Sequence, residues 1–212
     1  MRRRLFPFVF CLLLVIGASD VGAQGLGFEV EAGYFDMTRA SDSARAVFGS
    51  PGGFIAGGAL RYELLDGRVP LRAAVRFHKR QGERVFVAGP SSPVFPLGHP
   101  LEMQLTPIYA TIGYRFGEGL FRPYVAAGAG VTRFKEDSTV AGLSSSTSAT
   151  KFTGVLAAGL ELSRGRFRVA GEATYMNVPN AIGLAGVSEV YGETNVGGLS
   201  IVGKIIFQLG GT

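Results

Sequence analysis

The chain has 212 residues, a formal net charge of +5, 32 glycines and one cysteine, and this length suits a single domain. The glycines follow no fixed period, which excludes collagen and solenoid repeats. The charge is too small to favour nucleic acid as a partner, and a single cysteine excludes an internal disulfide.

The first 23 residues are typical of a cleaved secretory signal peptide. Arg2–Arg4 precede an uncharged run from Leu5 to Ala18, and Val21–Ala23 supply small residues at the cleavage positions. The alternative, a membrane-anchoring helix, is less favoured because the run is shorter than the roughly 20 residues needed to span a bilayer. We therefore expect residues 1–23 to be removed and residues 24–212 to form the one folded domain.

Eight segments alternate between apolar and polar residues with a period of two, which predicts β-strands. In the third, LRAAVRFHKR, one face is apolar and the other strongly basic. In chain order the segments lie at residues 26–35, 53–65, 71–80, 101–116, 121–134, 151–163, 167–176 and 199–209.

Short and long connections alternate between these strands. The short ones lie at residues 65–70, 117–120 and 163–166, and the long ones at residues 36–53, 82–100, 135–150 and 177–198. Long loops at one end and short turns at the other are typical of an eight-stranded antiparallel up-and-down transmembrane β-barrel. The glycine, serine and proline content of the long connections predicts mobile loops without a preformed pocket.

Alternation alone fits either a soluble, lipocalin-like barrel with an apolar interior or a membrane barrel with an apolar exterior. The aromatic residues on the apolar faces cluster near both ends of the strands, which favours the membrane barrel because its aromatic residues form two girdles. One predicted girdle contains Tyr62, Tyr114, Phe116, Phe121, Tyr124, Phe167 and Phe207, and the other contains Phe54, Phe77, Phe134, Phe152 and Tyr175.

The polar faces would then line the lumen, where buried charges are costly without partners. We therefore predict an internal, structural ion-pair network, which would plug the lumen because a barrel of about eight strands encloses little more than side chains. Arg133 either joins this network or, like Arg80, is solvated at the rim. The network residues are Glu29, Glu31, Arg61, Glu63, Arg72, Arg76, Arg115, Glu161, Arg168, Glu172 and Lys204.

Two segments, LTPIYATIGYRFGEGLFRPYVAAGAGVTRF (Leu105–Phe134) and GKIIFQLG (residues 203–210), carry a family resemblance together with the signal peptide. The chain resembles the small outer-membrane β-barrel proteins of bacteria, the group similar to the transmembrane domain of OmpA and to OmpX. The resemblance covers the mature chain and implies export to the bacterial outer membrane.

The expected partners are outer-membrane lipid, either lipopolysaccharide or phospholipid, and an unknown surface ligand of the loops. Lys79 has the lipid-facing parity at the outer rim, where it would meet headgroups or water. We expect a monomer.

No residue pattern predicts a cofactor or a metal site. Ser92, His99 and Glu102 are the best catalytic set that the sequence offers, but nearness along the chain does not establish geometry. The favoured function is a non-enzymatic barrel whose loops serve surface binding, adhesion or envelope integrity. The alternatives are a narrow conduit or binding barrel for a small molecule, apolar or not, a lipid-modifying enzyme and a soluble lipocalin-like carrier.

Overall fold

The computed structural model describes residues 25–140, 142–164, 166–183 and 185–209, so the expected signal peptide at residues 1–23 lies outside the described part. Eight antiparallel strands pair in chain order, and β1 pairs with β8 to close a barrel, which confirms the predicted fold. The strands are β1 (Leu26–Asp36), β2 (Gly52–Leu64), β3 (Val69–Val87), β4 (Val94–Arg115), β5 (Phe121–Val140), β6 (Leu143–Arg164), β7 (Phe167–Asn177) and β8 (Gly198–Gln208).

The exterior of the barrel is apolar. In β2, Phe54 is 68% exposed while its neighbour Ile55 is fully buried, and in β8 Ile201 is exposed while Ser200 and Lys204 are buried. Water would not stabilise such a surface, whereas lipid does. The soluble, lipocalin-like alternative, which required an apolar interior and a polar exterior, is therefore wrong.

Aromatic side chains ring this apolar exterior at both ends, as predicted, with two exceptions. At the short-turn end Phe207 packs against Phe28 and Phe167, with ring centroids 5.3 and 4.9 Å apart. The sequence predicts Tyr124 and Phe134 in the girdles, but both are buried inside the barrel. The run of alanines and glycines between them in β5 conceals which parity faces lipid, because small residues fit either face.

Four strands extend well beyond the outer aromatic girdle. β3 pairs with β4 as far as Val87 and Val94, and β5 pairs with β6 as far as Val140 and Leu143. The prediction of loops at residues 82–100 and 135–150 is therefore wrong, because these residues form two long β-hairpins. Neither face of such a hairpin is fully buried, so its sequence lacks the apolar alternation that marks a strand in the membrane.

The remaining long connections close the outer end of the barrel. α1 (Ser41–Phe48) lies between β1 and β2, and α2 (Val187–Val190) lies between β7 and β8. No helix within the described residues combines the length and the apolar character that crossing a membrane requires.

Candidate functional site

The lumen contains a continuous set of ion pairs in its membrane-embedded part. All eleven residues predicted for the network take part in at least one ion pair. Alternation places them there, because each lies on the inward parity of its strand.

Glu29 is the counter-ion for two arginines that face each other on neighbouring strands. Arg61 on β2 lies directly opposite Arg72 on β3, an arrangement that destabilises a sheet without a counter-ion. Glu29 lies between them: Arg61 Nη1 is 3.0 Å from Oε1 and Arg72 Nε is 2.7 Å from Oε2. The three side chains are buried and form one charge-assisted unit.

Towards the short-turn end a second group of charges fills the lumen. Arg61 also contacts Glu161, with Nη2 and Oε2 2.9 Å apart. Arg115 bridges Glu63 at 2.8 Å and Glu161 at 3.2 Å, and Arg168 contacts the same two carboxylates. Each carboxylate thus serves more than one arginine.

The Glu172 carboxylate is engaged by four side chains. It accepts hydrogen bonds from Arg76 at 3.0 Å, Tyr124 at 2.7 Å and Thr174 at 2.8 Å, and it pairs with Lys204. Sequence reasoning missed Tyr124 as a network member because of the unclear phase of β5. The available signal was that Tyr124 and the polar Thr132 are an even number of residues apart and so share a face of β5.

Above these charges the lumen becomes apolar, a feature that sequence reasoning also missed. The side chains lie on the inward parity of the strands and beneath α1, which contributes Ala44 and Phe48. The signal that could have predicted this apolar region was the presence of apolar residues on otherwise polar strand faces near the outer strand ends. This apolar plug includes Phe35, Met37, Ile55, Met103, Leu105, Phe134, Val155, Met176 and Val202.

α1 is fixed over this plug at both ends. At its N-terminal end the backbone N–H groups of Asp42 and Ser43 donate to the Glu193 carboxylate at 3.0 and 2.9 Å. At its C-terminal end Arg80 Nη2 donates to the carbonyl oxygens of Phe48 and Ser50 at 3.1 and 3.3 Å. Charges of these signs at these ends complement the helix dipole. The expectation that Arg80 is merely solvated is therefore wrong, since α1 supplies acceptors the sequence did not reveal.

Charged side chains lie on the outer wall just beyond the girdle. Lys79 Nζ is 2.7 Å from Glu102 Oε1, and Lys135 Nζ is 2.5 Å from Asp137 Oδ2. The hydrogen bond from Lys79 lowers the pKa of Glu102, and the hydrogen bond from Lys135 lowers the pKa of Asp137. Arg133 is exposed on this wall, so it lies outside the lumen network.

The candidate catalytic set is not assembled. Ser92 lies in the turn at the tip of the β3–β4 hairpin, whereas Glu102 lies eight residues beyond Val94, the first residue of β4. His99 lies where the register of β4 with β3 is interrupted, between Pro96 and Pro100. Glu102 is engaged by Lys79 and Gln81. Within the described residues no cluster of three or more His, Cys, Asp or Glu side chains could hold a metal ion.

An apolar, girdled exterior around a closed eight-stranded ring defines a small membrane β-barrel. Residues 8–196 match the family model described as the outer membrane protein beta-barrel domain. The chain belongs to this family, and its location is the bacterial outer membrane. The last strand, β8, lies beyond the matched range and completes the ring.

Solved structures with the same fold include neisserial surface protein A (NspA), 13% identical, covering 87% of this chain and 97% of that one, with a TM-score of 0.54. A major outer membrane protein from Thermus thermophilus is 13% identical, covering 86% and 99%, with a TM-score of 0.53. Ail, the attachment invasion locus protein of Yersinia pestis, is 15% identical, covering 87% and 99%, with a TM-score of 0.46. At these identities the likeness to NspA and to the Thermus thermophilus protein shows the fold alone. No curated protein matches the chain by sequence.

Proposed function

We propose that the barrel is a closed, non-catalytic anchor and that its two outer hairpins bind a partner at the cell surface. The single observation that carries this proposal is the projection of the hairpins: eight residues of β6, from Leu143 to Thr150, extend beyond the girdle residue Phe152, roughly 25 Å of strand. Hairpins that project above a filled lumen are suited to contact with a partner rather than to transport of a solute.

The tip of the β3–β4 hairpin supplies an apolar contact surface. Phe86 and Phe95 are register partners and are 56% and 53% exposed, far from the lipid-facing band. Val94 and Leu97 add exposed apolar area beside them. Exposed apolar patches of this kind mark interaction sites.

Adhesion of expressing cells to an octyl-coated surface tests this proposal. The double variant Phe86→Ser, Phe95→Ser is expected to reduce adhesion several-fold relative to the unchanged chain. Leu65→Ser is the matched control, because Leu65 is 71% exposed in a short turn at the opposite end of the barrel. Equal adhesion by all three chains, or equal loss in both variants, would contradict the proposal.

We also propose that the rim cations contact lipid headgroups of the outer leaflet and that the barrel is a monomer. Lys79, Arg133 and Lys135 lie nearer the apolar band than Glu102 and Asp137 do, as the register of β3, β4 and β5 places them. Cations closest to the lipid and acids farther out favour anionic headgroups. Arg133→Gln should lower the thermal stability of the barrel in nanodiscs containing lipid A and leave it unchanged in nanodiscs of dephosphorylated lipid A.

A further inference from the structure

The charges that fill the lumen form two groups. The outer group lies toward the cell surface, and its three cations contact three carboxylates, so its charges balance. Its members are Arg72, Arg76, Lys204, Glu29, Glu31 and Glu172. The inner group lies toward the short turns, and its three arginines contact two carboxylates of their own. Its members are Arg61, Arg115, Arg168, Glu63 and Glu161.

The inner group therefore carries one positive charge in excess within the described part of the chain. Glu29 contacts Arg61 as well as Arg72, but this shared carboxylate balances only one of them. Counting it with the inner group would move the excess charge to the outer group without removing it. Because arginine does not release its proton in proteins, the inner group cannot relieve the excess by deprotonation.

The same three arginines have N–H groups that lack an acceptor. The Nε atoms of Arg61, Arg115 and Arg168 are buried and form no hydrogen bond with any residue that the structure describes. Arg61 Nε lies 3.1 Å from Glu63 Oε1, but its N–H is not aligned for a hydrogen bond to that oxygen. A buried donor without an acceptor destabilises a fold, and a charged donor does so more strongly.

The outer group provides an internal comparison. Arg72 Nε donates to Glu29 and Arg76 Nε donates to Glu31, each at 2.7 Å. Among the described lumen arginines, unpaired Nε donors therefore occur only in the group that has too few acids. The charge count and the hydrogen-bond geometry are independent observations, and both indicate an anionic ligand at this position.

The guanidinium groups of the inner group lie close enough together to share one ion. Arg115 Nη2 is 2.8 Å and Arg61 Nε is 3.1 Å from the same oxygen, Oε1 of Glu63, and Arg168 contacts that oxygen as well. Glu161 contacts the same three arginines. The hydrogen bonds to both carboxylates use Nη atoms, so the Nε–H groups stay available to a further acceptor.

We propose that the inner group binds a chloride ion, or another monovalent anion of similar size, from the periplasmic side. A single negative charge cancels the excess, whereas a divalent anion would reverse it. The lumen of an eight-stranded barrel has room for side chains and at most one small ligand. Glu63 and Arg168 have the most exposed side chains of the two groups, at 7% and 11%, so the ion enters past them. This site does not depend on the hairpins or on their partner.

Urea unfolding of the full-length barrel in phosphatidylcholine vesicles tests the site when sodium gluconate is replaced stepwise by sodium chloride at constant ionic strength. Constant ionic strength keeps the screening of ion pairs the same, and gluconate is too large for the lumen. Chloride at about ten times its dissociation constant should lower the unfolding equilibrium constant by roughly an order of magnitude. An equal unfolding midpoint in the two salts would overturn the inference.

Two substitutions of Arg168 separate its charge from its packing. Arg168→Gln removes the excess charge, so the midpoints in the two salts should become equal, whereas Arg168→Lys keeps the charge and should retain the chloride dependence. Arg68→Gln is the matched control, because Arg68 lies at the same end of the barrel with a side chain that is 55% exposed. It should respond to chloride as the unchanged chain does. A chloride dependence that persists in Arg168→Gln would place the ion elsewhere and contradict the inference.

Bromide locates the ion without any substitution. Crystals of the unchanged barrel grown in sodium bromide should show an anomalous scattering peak within hydrogen-bond distance of Nε of Arg61, Arg115 or Arg168. The absence of a peak at the inner group, or peaks at exposed side chains alone, would show that these arginines hold no anion.

Discussion

Arg76 and Glu172 connect opposite walls of the barrel: Nη2 of the arginine, on β3, donates a 3.0 Å hydrogen bond to Oε1 of the glutamate, on β7. The two strands are four positions apart in either direction around the ring. Arg76 also bonds Glu31 through Nε at 2.7 Å, and all three side chains are buried. The pair is a strut across the lumen.

Removal of the strut should destabilise the barrel. Glu172→Gln takes the charge from a carboxylate that serves Arg76 and Lys204, which leaves buried cations short of a counter-ion. Such a loss costs about 3–5 kcal/mol, measurable as a lower midpoint of urea unfolding in lipid bilayers.

An exposed ion pair provides the control. Glu118 pairs with Arg68 at the short-turn end, and its side chain is 76% exposed. Exposed pairs contribute about 0–1 kcal/mol, so Glu118→Gln should leave the midpoint nearly unchanged. Equal effects of the two substitutions would show that the lumen network does not stabilise the fold.

The same substitution should not open the barrel to ions. The apolar plug that includes Phe35, Ile55 and Met103 lies above the charges, and we expect it to stay intact in Glu172→Gln. Conductance across planar bilayers is therefore expected to stay at the level of the unchanged chain. A stepwise conductance that appears in Glu172→Gln would favour the conduit alternative.

The sequence was sufficient to predict the ring of strands and the inward set of charges because both depend on a period of two. Glu31 and Arg76 each share a strand face with a second charged residue, Glu29 and Arg72 respectively, so the side on which they lie follows from these neighbours. Tyr124 could not be placed in this way, since the alanines and glycines after it fit lipid and lumen equally.

The outer part of the molecule was harder to predict because its structure depends on contacts between distant residues. α1 has only eight residues, too short to be stable on its own, and its ends are held by Arg80 and Glu193. The outer residues of each hairpin form strands because its two strands pair with each other, not because one face is buried. Neither condition is visible in a local pattern.

Loss of the Glu193 carboxylate should loosen α1. Glu193→Gln removes the negative charge at the N-terminal end of the helix and weakens the bonds to Asp42 and Ser43. Capping interactions of this type contribute about 0.5–2 kcal/mol. Hydrogen exchange at the α1 amides should quicken accordingly, whereas Glu189→Gln, at an exposed position of α2, should have no effect. Unchanged exchange in Glu193→Gln would show that the packing of Ala44 and Phe48 against the apolar plug is enough to hold the helix.

The stability of the β5–β6 hairpin should depend on pH through two neighbouring carboxyl groups, Glu136 and Asp137, whose pKa values are shifted in opposite directions. Burial raises the pKa of Glu136, and Arg84 offsets only part of that effect. A raised pKa in the folded hairpin means that its protonated form is favoured, so this contribution to stability is present at low pH and is lost as the pH rises through that pKa. The hydrogen bond from Lys135 lowers the pKa of Asp137, so the contribution of Asp137 is lost as the pH falls.

Substitution of each carboxyl group separates the two contributions. Glu136→Gln should remove the part of the hairpin's amide protection that declines as the pH rises through the raised pKa of Glu136, after correction for intrinsic exchange. Asp137→Asn should remove the part that declines in the opposite direction, so the two variants should tilt the pH profile to opposite sides of the unchanged chain. Profiles shifted to the same side would mean that one carboxyl group has a different partner from the one given by the structure. Because both residues lie on β5 beyond the girdle, the lumen network is not disturbed, and unfolding of the whole barrel should keep its midpoint.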